Sequence, residues 1–239
     1  MYTKITTFLI TALLFTSSAS KGLQDVDTVY SSVAPKPISI KINPAATIRF
    51  IGPIMSRDWF NKANKVVEYS SKFPEVFLII NSPGGSVPLM EQLINSIEIA
   101  QARGVKVSCI VGVYAASAAY NILDRCDNRY AFSSSKLLFH PIRVMAEGTV
   151  TAPQAAELAF ELNKFDEELL TRLCSSIVNN DVLKCQVVKE AYYAEKFWSA
   201  KVLAGFATPG YLVLINNIEN YNDVFTIEEA PSYTIRIRE

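Results

Sequence analysis

The chain has 239 residues, of which 50% are hydrophobic and 19% charged. That excludes an intrinsically disordered protein and suffices for one large domain or two small ones. Lys plus Arg and Asp plus Glu both number 23 with no basic run, which argues against a non-specific nucleic-acid binder. One histidine, no CxxC pair and no GxxxxGK[ST] exclude the usual Cys/His zinc sites and a Walker-type nucleotide site, so neither a metal nor a cofactor is expected.

Residues 1–20 read as a signal peptide. Lys4 is the only charge before Lys21, Ile5 to Phe15 is mostly apolar, and small residues follow from Thr16 to Ser20. Ser17 and Ala19 suit the small positions before a cut near Ala19. The apolar stretch is shorter than the roughly twenty residues a membrane span needs. The expected destination is therefore the bacterial periplasm or the extracellular medium. In such an oxidising compartment Cys109, Cys126, Cys174 and Cys185 form an even set able to make disulfides. Four cysteines allow three pairings. A Cys174–Cys185 bridge is expected, because these two flank Asn179-Asn180-Asp181, a turn between two helices. The alternative is four buried thiols acting as small hydrophobes.

Residues 21–46 are polar, contain Pro35 and Pro37, and read as an N-terminal arm or linker. The main domain is expected over 47–215. Thr47 to Ile51 alternates like a strand, and Asp58 to Ser71 is helical with Trp59, Ala63, Val66 and Val67 on one face. Val76 to Ile80 is a continuous apolar run, which fits a strand buried on both faces. Pro88 to Ala102 is helical, Val105 to Val111 a strand, and 115–125 an alanine-rich helix. Arg129 to Phe132 and Leu137 to Phe139 are short strands. This rhythm is that of an α/β protein with a mostly parallel sheet and flanking helices.

The longest helix follows. Thr151 is a good N-cap and Pro153 lies in the first turn. Leu158, Leu162, Phe165, Leu169, Leu173 and Ile177 form one apolar stripe. A helix of this length protrudes, and its stripe packs either on the sheet or on another subunit. A shorter helix over Asp181 to Ala191, a helical turn over 199–204 and a strand over Tyr211 to Ile215 complete the domain. Residues 216–239 read as a polar tail in which Thr234 to Arg238 alternates.

Three places could carry chemistry. Asn81-Ser82-Pro83-Gly84-Gly85-Ser86 follows the buried strand, and paired glycines there let backbone N–H groups approach a ligand. The bland reading is a tight turn. Ser117 sits among alanines in Tyr114-Ala115-Ala116-Ser117-Ala118-Ala119-Tyr120, near a helix N-terminus. The N–H of Ala118 could stabilise an oxyanion, or the alanines could serve packing alone. His140, the sole histidine, ends a strand before Pro141. It is the base available to a histidine-activated serine. Serine, base and two N–H sources form the set needed for acyl transfer.

These motifs resemble the ClpP-type serine peptidases of the ClpP/crotonase fold. The similarity lies in Ile79-Ile80-Asn81-Ser82-Pro83-Gly84-Gly85-Ser86, Ala115-Ala116-Ser117 and Leu138-Phe139-His140-Pro141, in family order and over about 47–208. Helix 152–177 sits where the family has its protruding handle helix. The resemblance implies Ser117 as nucleophile, His140 as general base, and Gly85 and Ala118 as the oxyanion hole. It implies that the chain at Gly84, Ser86 and Val87 pairs with an extended peptide substrate. Glu195-Lys196-Phe197-Trp198-Ser199-Ala200 matches the stretch that begins with the family's triad aspartate. Glu195 stands at the acidic position, with Asp166 and Glu167 as fallbacks. It further implies a homo-oligomer. An exported member would act on peptides or unfolded protein without its own ATPase and without an unfoldase partner.

Three other readings compete. A signal-peptide-peptidase-like Ser–Lys enzyme would use Lys164 in place of His140. A non-catalytic scaffold or peptide-binding module would keep a relic site, as a glutamate at 195 suggests. A crotonase-type acyl-CoA enzyme would share the sheet but not the serine–histidine pair.

Overall fold

A computed structural model describes residues 26–144 and 149–220. The expected signal peptide with its cut near Ala19, and the alternating segment Thr234 to Arg238, lie outside the described residues.

Six strands form one parallel path: β1 (Ile38–Ile40), β2 (Thr47–Ile51), β3 (Glu75–Ser82), β4 (Lys106–Ala116), β5 (Asn128–Phe132) and β8 (Val213–Ile218). Their order across the sheet is β1-β8-β5-β4-β3-β2. Two short strands extend it. β6 (Lys136–Leu138) pairs parallel with the far end of β4, and β7 (Trp198–Ser199) pairs antiparallel with β6. Helices α2 (Arg57–Tyr69), α3 (Val87–Ala102), α4 (Ala118–Asp124), α5 (Ala152–Val178), α6 (Val182–Tyr193) and α7 (Ala200–Phe206) flank the sheet, and residues 26–32 form a further helix, α1.

The unbroken apolar run of β3 has a direct cause. Side chains alternate between faces along a strand. Val76, Leu78 and Ile80 enter the large core under the helices, while Phe77 and Ile79 enter a second core with Ile42, Ile110, Ile215 and Ile218. Both faces of β3 are covered, so no polar position is needed. Trp59, Ala63 and Val66 of α2, and Met90, Leu93, Ile97 and Ala100 of α3, are buried.

Helix α5 begins at a capping box. Oε1 of Gln154 accepts from the N–H and the hydroxyl of Thr151 at 3.0 and 2.9 Å. The helix ends at Asn179, which is left-handed at φ 50°. Its two halves differ. Leu169, Leu170, Leu173 and Ile177 are buried, whereas 152–157 are exposed and Phe160 is 66% exposed. The stripe therefore packs on the domain only over its second half, and the first half projects.

Both cysteine pairs are joined, Cys109 to Cys126 and Cys174 to Cys185. The second ties α6 back onto α5. The first ties β4 to the segment between α4 and β5.

The segment expected to be a linker, 21–46, is built into the fold over its described part. Ile38–Ile40 pairs with β8, and β8 itself continues past the expected boundary at 215. Helix α1 lies on α7, where Tyr30 meets Phe206 edge-on at 5.0 Å and Asp27 pairs with Lys196 at 2.9 Å. A short strand on a sheet edge and a one-sided helix leave too little apolar period to be recognised in sequence. Gly205 makes the contact possible, since a Cβ there would lie 2.0 Å from the carbonyl oxygen of Tyr30. Gly205→Ala is accordingly expected to lever α1 off α7. Amide exchange should rise over residues 26–34 while the sheet keeps its protection. Unchanged exchange would show that the arm is held by other contacts.

Candidate active site

Strand β4 runs on to Ala116, so Ala115 and Ala116 are extended and not helical as the sequence reading expected. The reason is β6, whose Lys136, Leu137 and Leu138 pair with Tyr114, Ala115 and Ala116. Pairing outweighs the helix propensity of two alanines. The chain then reverses at Ser117, with φ 57° and ψ −126°. A non-glycine residue at positive φ is strained. It is held by three bonds. The Ser117 N–H donates to the Leu138 carbonyl at 2.8 Å, and the Ser117 carbonyl accepts from the N–H groups of Tyr120 and Asn121. The turn leaves the serine at the head of α4, next to the unused N–H of the first helical residue, Ala118.

The strand that holds the serine also delivers the histidine. His140 lies two residues beyond β6, after Phe139, which is buried against Tyr120 at 5.0 Å and Trp198 at 6.2 Å. Nδ1 of His140 is 2.6 Å from the carbonyl oxygen of Pro141. That oxygen can only accept, so Nδ1 carries a proton, and in the neutral form of the ring the lone pair is on Nε2.

The glycine loop closes the other side. Gly84 has φ 94°, and a Cβ on it would stand 2.6 Å from the Ala116 carbonyl and 2.7 Å from the Ser117 side chain. Gly85 has φ 146°, and its Cβ would meet the Ile54 carbonyl at 2.5 Å. The Ile54 N–H donates to Gly84, and the Ile54 carbonyl accepts from Ser86. These two bonds straddle Gly85 without using its N–H.

Ser117, Ala118, His140 and Gly85 line one cavity of about 240 Å³. Val87, Met90, Phe139, Phe165 and Leu169 supply apolar wall, and Asn121 and Arg143 supply polar wall. Of the residues expected to bind substrate, Val87 lines the cavity. The Ser86 N–H is taken by Ile54, and Gly84 is packed against the Ser117 turn. Lys164, the lysine a Ser–Lys enzyme would use, is exposed and absent from the lining.

Glu195 does not take the expected place against the imidazole. It pairs with Arg143. Its backbone is left-handed at φ 51°. Arg143, three residues past His140, supplies a full cation, the stronger partner for a carboxylate. Asp166, a fallback in the sequence reading, accepts from the Ile142 N–H at 3.0 Å and from the Tyr192 hydroxyl at 2.5 Å. Phe165 and Leu169 were visible as part of the α5 stripe, though not as cavity wall. Arg143 carried no signal in sequence.

Behind the site, Asp124 at the end of α4 joins α5. Its side chain is 1% exposed. Oδ1 accepts from Tyr211 at 2.9 Å and Ser176 at 2.7 Å, and Oδ2 lies 3.4 Å from Nε of Arg172. The Tyr120 and Tyr211 hydroxyls are 2.9 Å apart. Burial, and then the Asp124 charge, push both phenols above their usual range, so both remain protonated.

Two outcomes follow. Gly84→Ala should abolish modification of Ser117 by an active-site serine reagent while circular dichroism retains the secondary structure; full modification would show that the turn tolerates the extra carbon. Asp124→Ala should lower the stability measured by denaturant unfolding by about 3 kcal/mol. That is the lower end for a buried pair, because Arg172 is 30% exposed and water compensates part of its loss.

Among the described residues no His, Cys, Asp or Glu cluster suits a metal ion, and no helix is long and apolar enough to cross a membrane. No curated protein gives a match to the chain. The family model described as Clp protease matches residues 53–200, more than half of the chain, and spans the glycine loop, Ser117, His140 and Glu195. With the parallel sheet and flanking helices of the ClpP/crotonase-like fold also present, the chain belongs to the Clp protease family, a family of peptidases.

Proposed function

We propose that the protein is an exported serine peptidase that cleaves peptides or unfolded segments through an acyl-enzyme. The observation that carries this reading is the strained Ser117 turn and His140 set by one strand, β6, on one cavity. In the proposed reaction the Ser117 hydroxyl attacks the scissile carbonyl and passes its proton to Nε2 of His140. The N–H groups of Gly85 and Ala118 receive the developing oxyanion. The C–N bond then breaks, and the amine leaves with the proton from the imidazolium. Water repeats the sequence on the acyl-serine and regenerates the free hydroxyl. The apolar wall formed by Met90, Phe165 and Leu169 suits an apolar side chain beside the scissile bond.

No step consumes ATP, and an exported chain would meet neither ATP nor a cytoplasmic unfoldase. Two disulfides favour an oxidising destination. The projecting half of α5 favours a homo-oligomer, as does membership of a family whose members are typically oligomeric. A second reading, a peptide-binding module without turnover, draws support from Glu195 being held by Arg143.

A fluorophosphonate probe on the untagged protein separates the readings. Labelling is expected at Ser117, mapped by mass spectrometry. It should be lost in Ser117→Ala, reduced by about a hundredfold or more in His140→Ala, and unchanged in Lys164→Ala. Loss in Lys164→Ala with survival in His140→Ala would select the Ser–Lys mechanism. A folded wild type that binds peptides but takes no label would select the binding module.

A further inference from the structure

The carbonyl that accepts from His140 and the N–H that donates to Asp166 belong to one peptide group, Pro141–Ile142. Nδ1–H of His140 donates to the Pro141 oxygen at 2.6 Å, and the Ile142 N–H donates to Oδ1 of Asp166 at 3.0 Å. This peptide is trans, since the described residues contain no cis bond. In a trans peptide the C=O and N–H are conjugated and point in opposite directions. A carboxylate accepting at the nitrogen shifts electron density toward the oxygen, which strengthens the bond accepted there.

The carboxylate is itself fixed. The Tyr192 hydroxyl donates to the same Oδ1 at 2.5 Å from a fully buried ring. Burial, and then the Asp166 bond and charge, push the Tyr192 phenol far above its usual range, so it stays a donor. Asp166 lies on α5 and Tyr192 on α6, the two helices joined by Cys174–Cys185.

We propose that Asp166 is a positioning residue for the base. It acts on His140 through the Pro141–Ile142 peptide group and stands in for a triad acid bonded directly to the imidazole. It holds the tautomer with the proton on Nδ1 and stabilises the imidazolium formed when His140 takes the Ser117 proton. The inference rests on the reading of His140 as the base for Ser117.

His140 is the only histidine in the chain, so long-range proton–nitrogen spectra of the untagged, nitrogen-15-labelled protein contain one imidazole. The wild type is expected to show the Nδ1–H tautomer with a far-downfield Nδ1–H proton. Asp166→Asn keeps an oxygen for Ile142 and Tyr192 but removes the charge. It should retain the tautomer, move that proton upfield and slow fluorophosphonate labelling several-fold. Asp166→Ala should mix the tautomers and slow labelling by about ten- to a hundredfold, less than removal of the base itself. Tyr192→Phe should fall between wild type and Asp166→Ala. Asp166→Asn is isosteric, so it carries the test even where Asp166→Ala does not fold.

An unmoved Nδ1–H resonance and an unchanged rate in Asp166→Asn would overturn the proposal. So would the same spectral changes arising from Glu195→Gln and not from Asp166. Failure of the underlying reading looks different: His140→Ala would then label as fast as wild type, which would remove any catalytic role for the relay.

Discussion

The site depends on the bond from the Ser117 N–H to the Leu138 carbonyl. A non-glycine residue at positive φ costs on the order of 1–3 kcal/mol and persists only where its surroundings over-determine it. Here β6 does so. By pairing with Tyr114, Ala115 and Ala116 it keeps β4 extended up to the reversal. By accepting from Ser117 it fixes the reversal itself. Gly84 seals the turn from the other side, where no side chain fits. Because the chain runs from the end of β6 through Phe139 straight into His140, a shift of β6 that relaxed the serine would also displace the histidine. Ser117 and His140 are thus coupled by backbone, before any contact between their side chains is considered.

That coupling needs a rigid platform. The central strands are buried on both faces, so neither can slide without moving packed side chains on two sides. Around this platform the helices are cross-linked close to the chemistry. Asp124 ends the helix that Ser117 begins, and its hydrogen bonds to Ser176 and Tyr211 and its ion pair with Arg172 tie that helix to α5 and to the segment leading into β8. Cys109–Cys126 and Cys174–Cys185 close two further loops around the same elements. The result places the strained residue at a junction of well-ordered supports, which is where strain can be sustained.

Much of this was legible in the sequence. Apolar runs gave away the central strands, because burial on both faces leaves an unbroken hydrophobic signature. The α5 stripe and its Thr151 cap were equally clear. Ser117, His140 and the paired glycines stood out as candidates because small residues and a lone histidine fall at the ends of those strands, and Ser117, His140 and Gly85 line one cavity. The failures are also physical. Ala115 and Ala116 look helical by propensity but belong to a strand, since the partner that overrides them lies some twenty residues away in β6. Ile38–Ile40 and helix 26–32 were read as linker because each buries little and borrows its stability from α7 and β8. Arg143 and Asn121 were missed as cavity residues because nothing local distinguishes a polar residue facing a cavity from one facing solvent.

Glu195 shows the limit of a linear motif. Its neighbours Phe197 to Ala200 fall where the pattern requires, with Trp198 buried and Ser199 capping α7. The acid one turn earlier obeys a different constraint, namely which cation or donor lies within reach. A glutamate has one more methylene than an aspartate, and Arg143 offers it a charged partner. The imidazole N–H is left to a carbonyl, and the acid that bonds the far side of that same peptide comes from α5. What a general base requires is an acceptor at Nδ1 and negative charge close enough to stabilise the imidazolium. Direct contact is one way of meeting both needs, and a polarised peptide group between the two is another. The chemistry constrains the field and the tautomer, and leaves open which position in the chain supplies the charge.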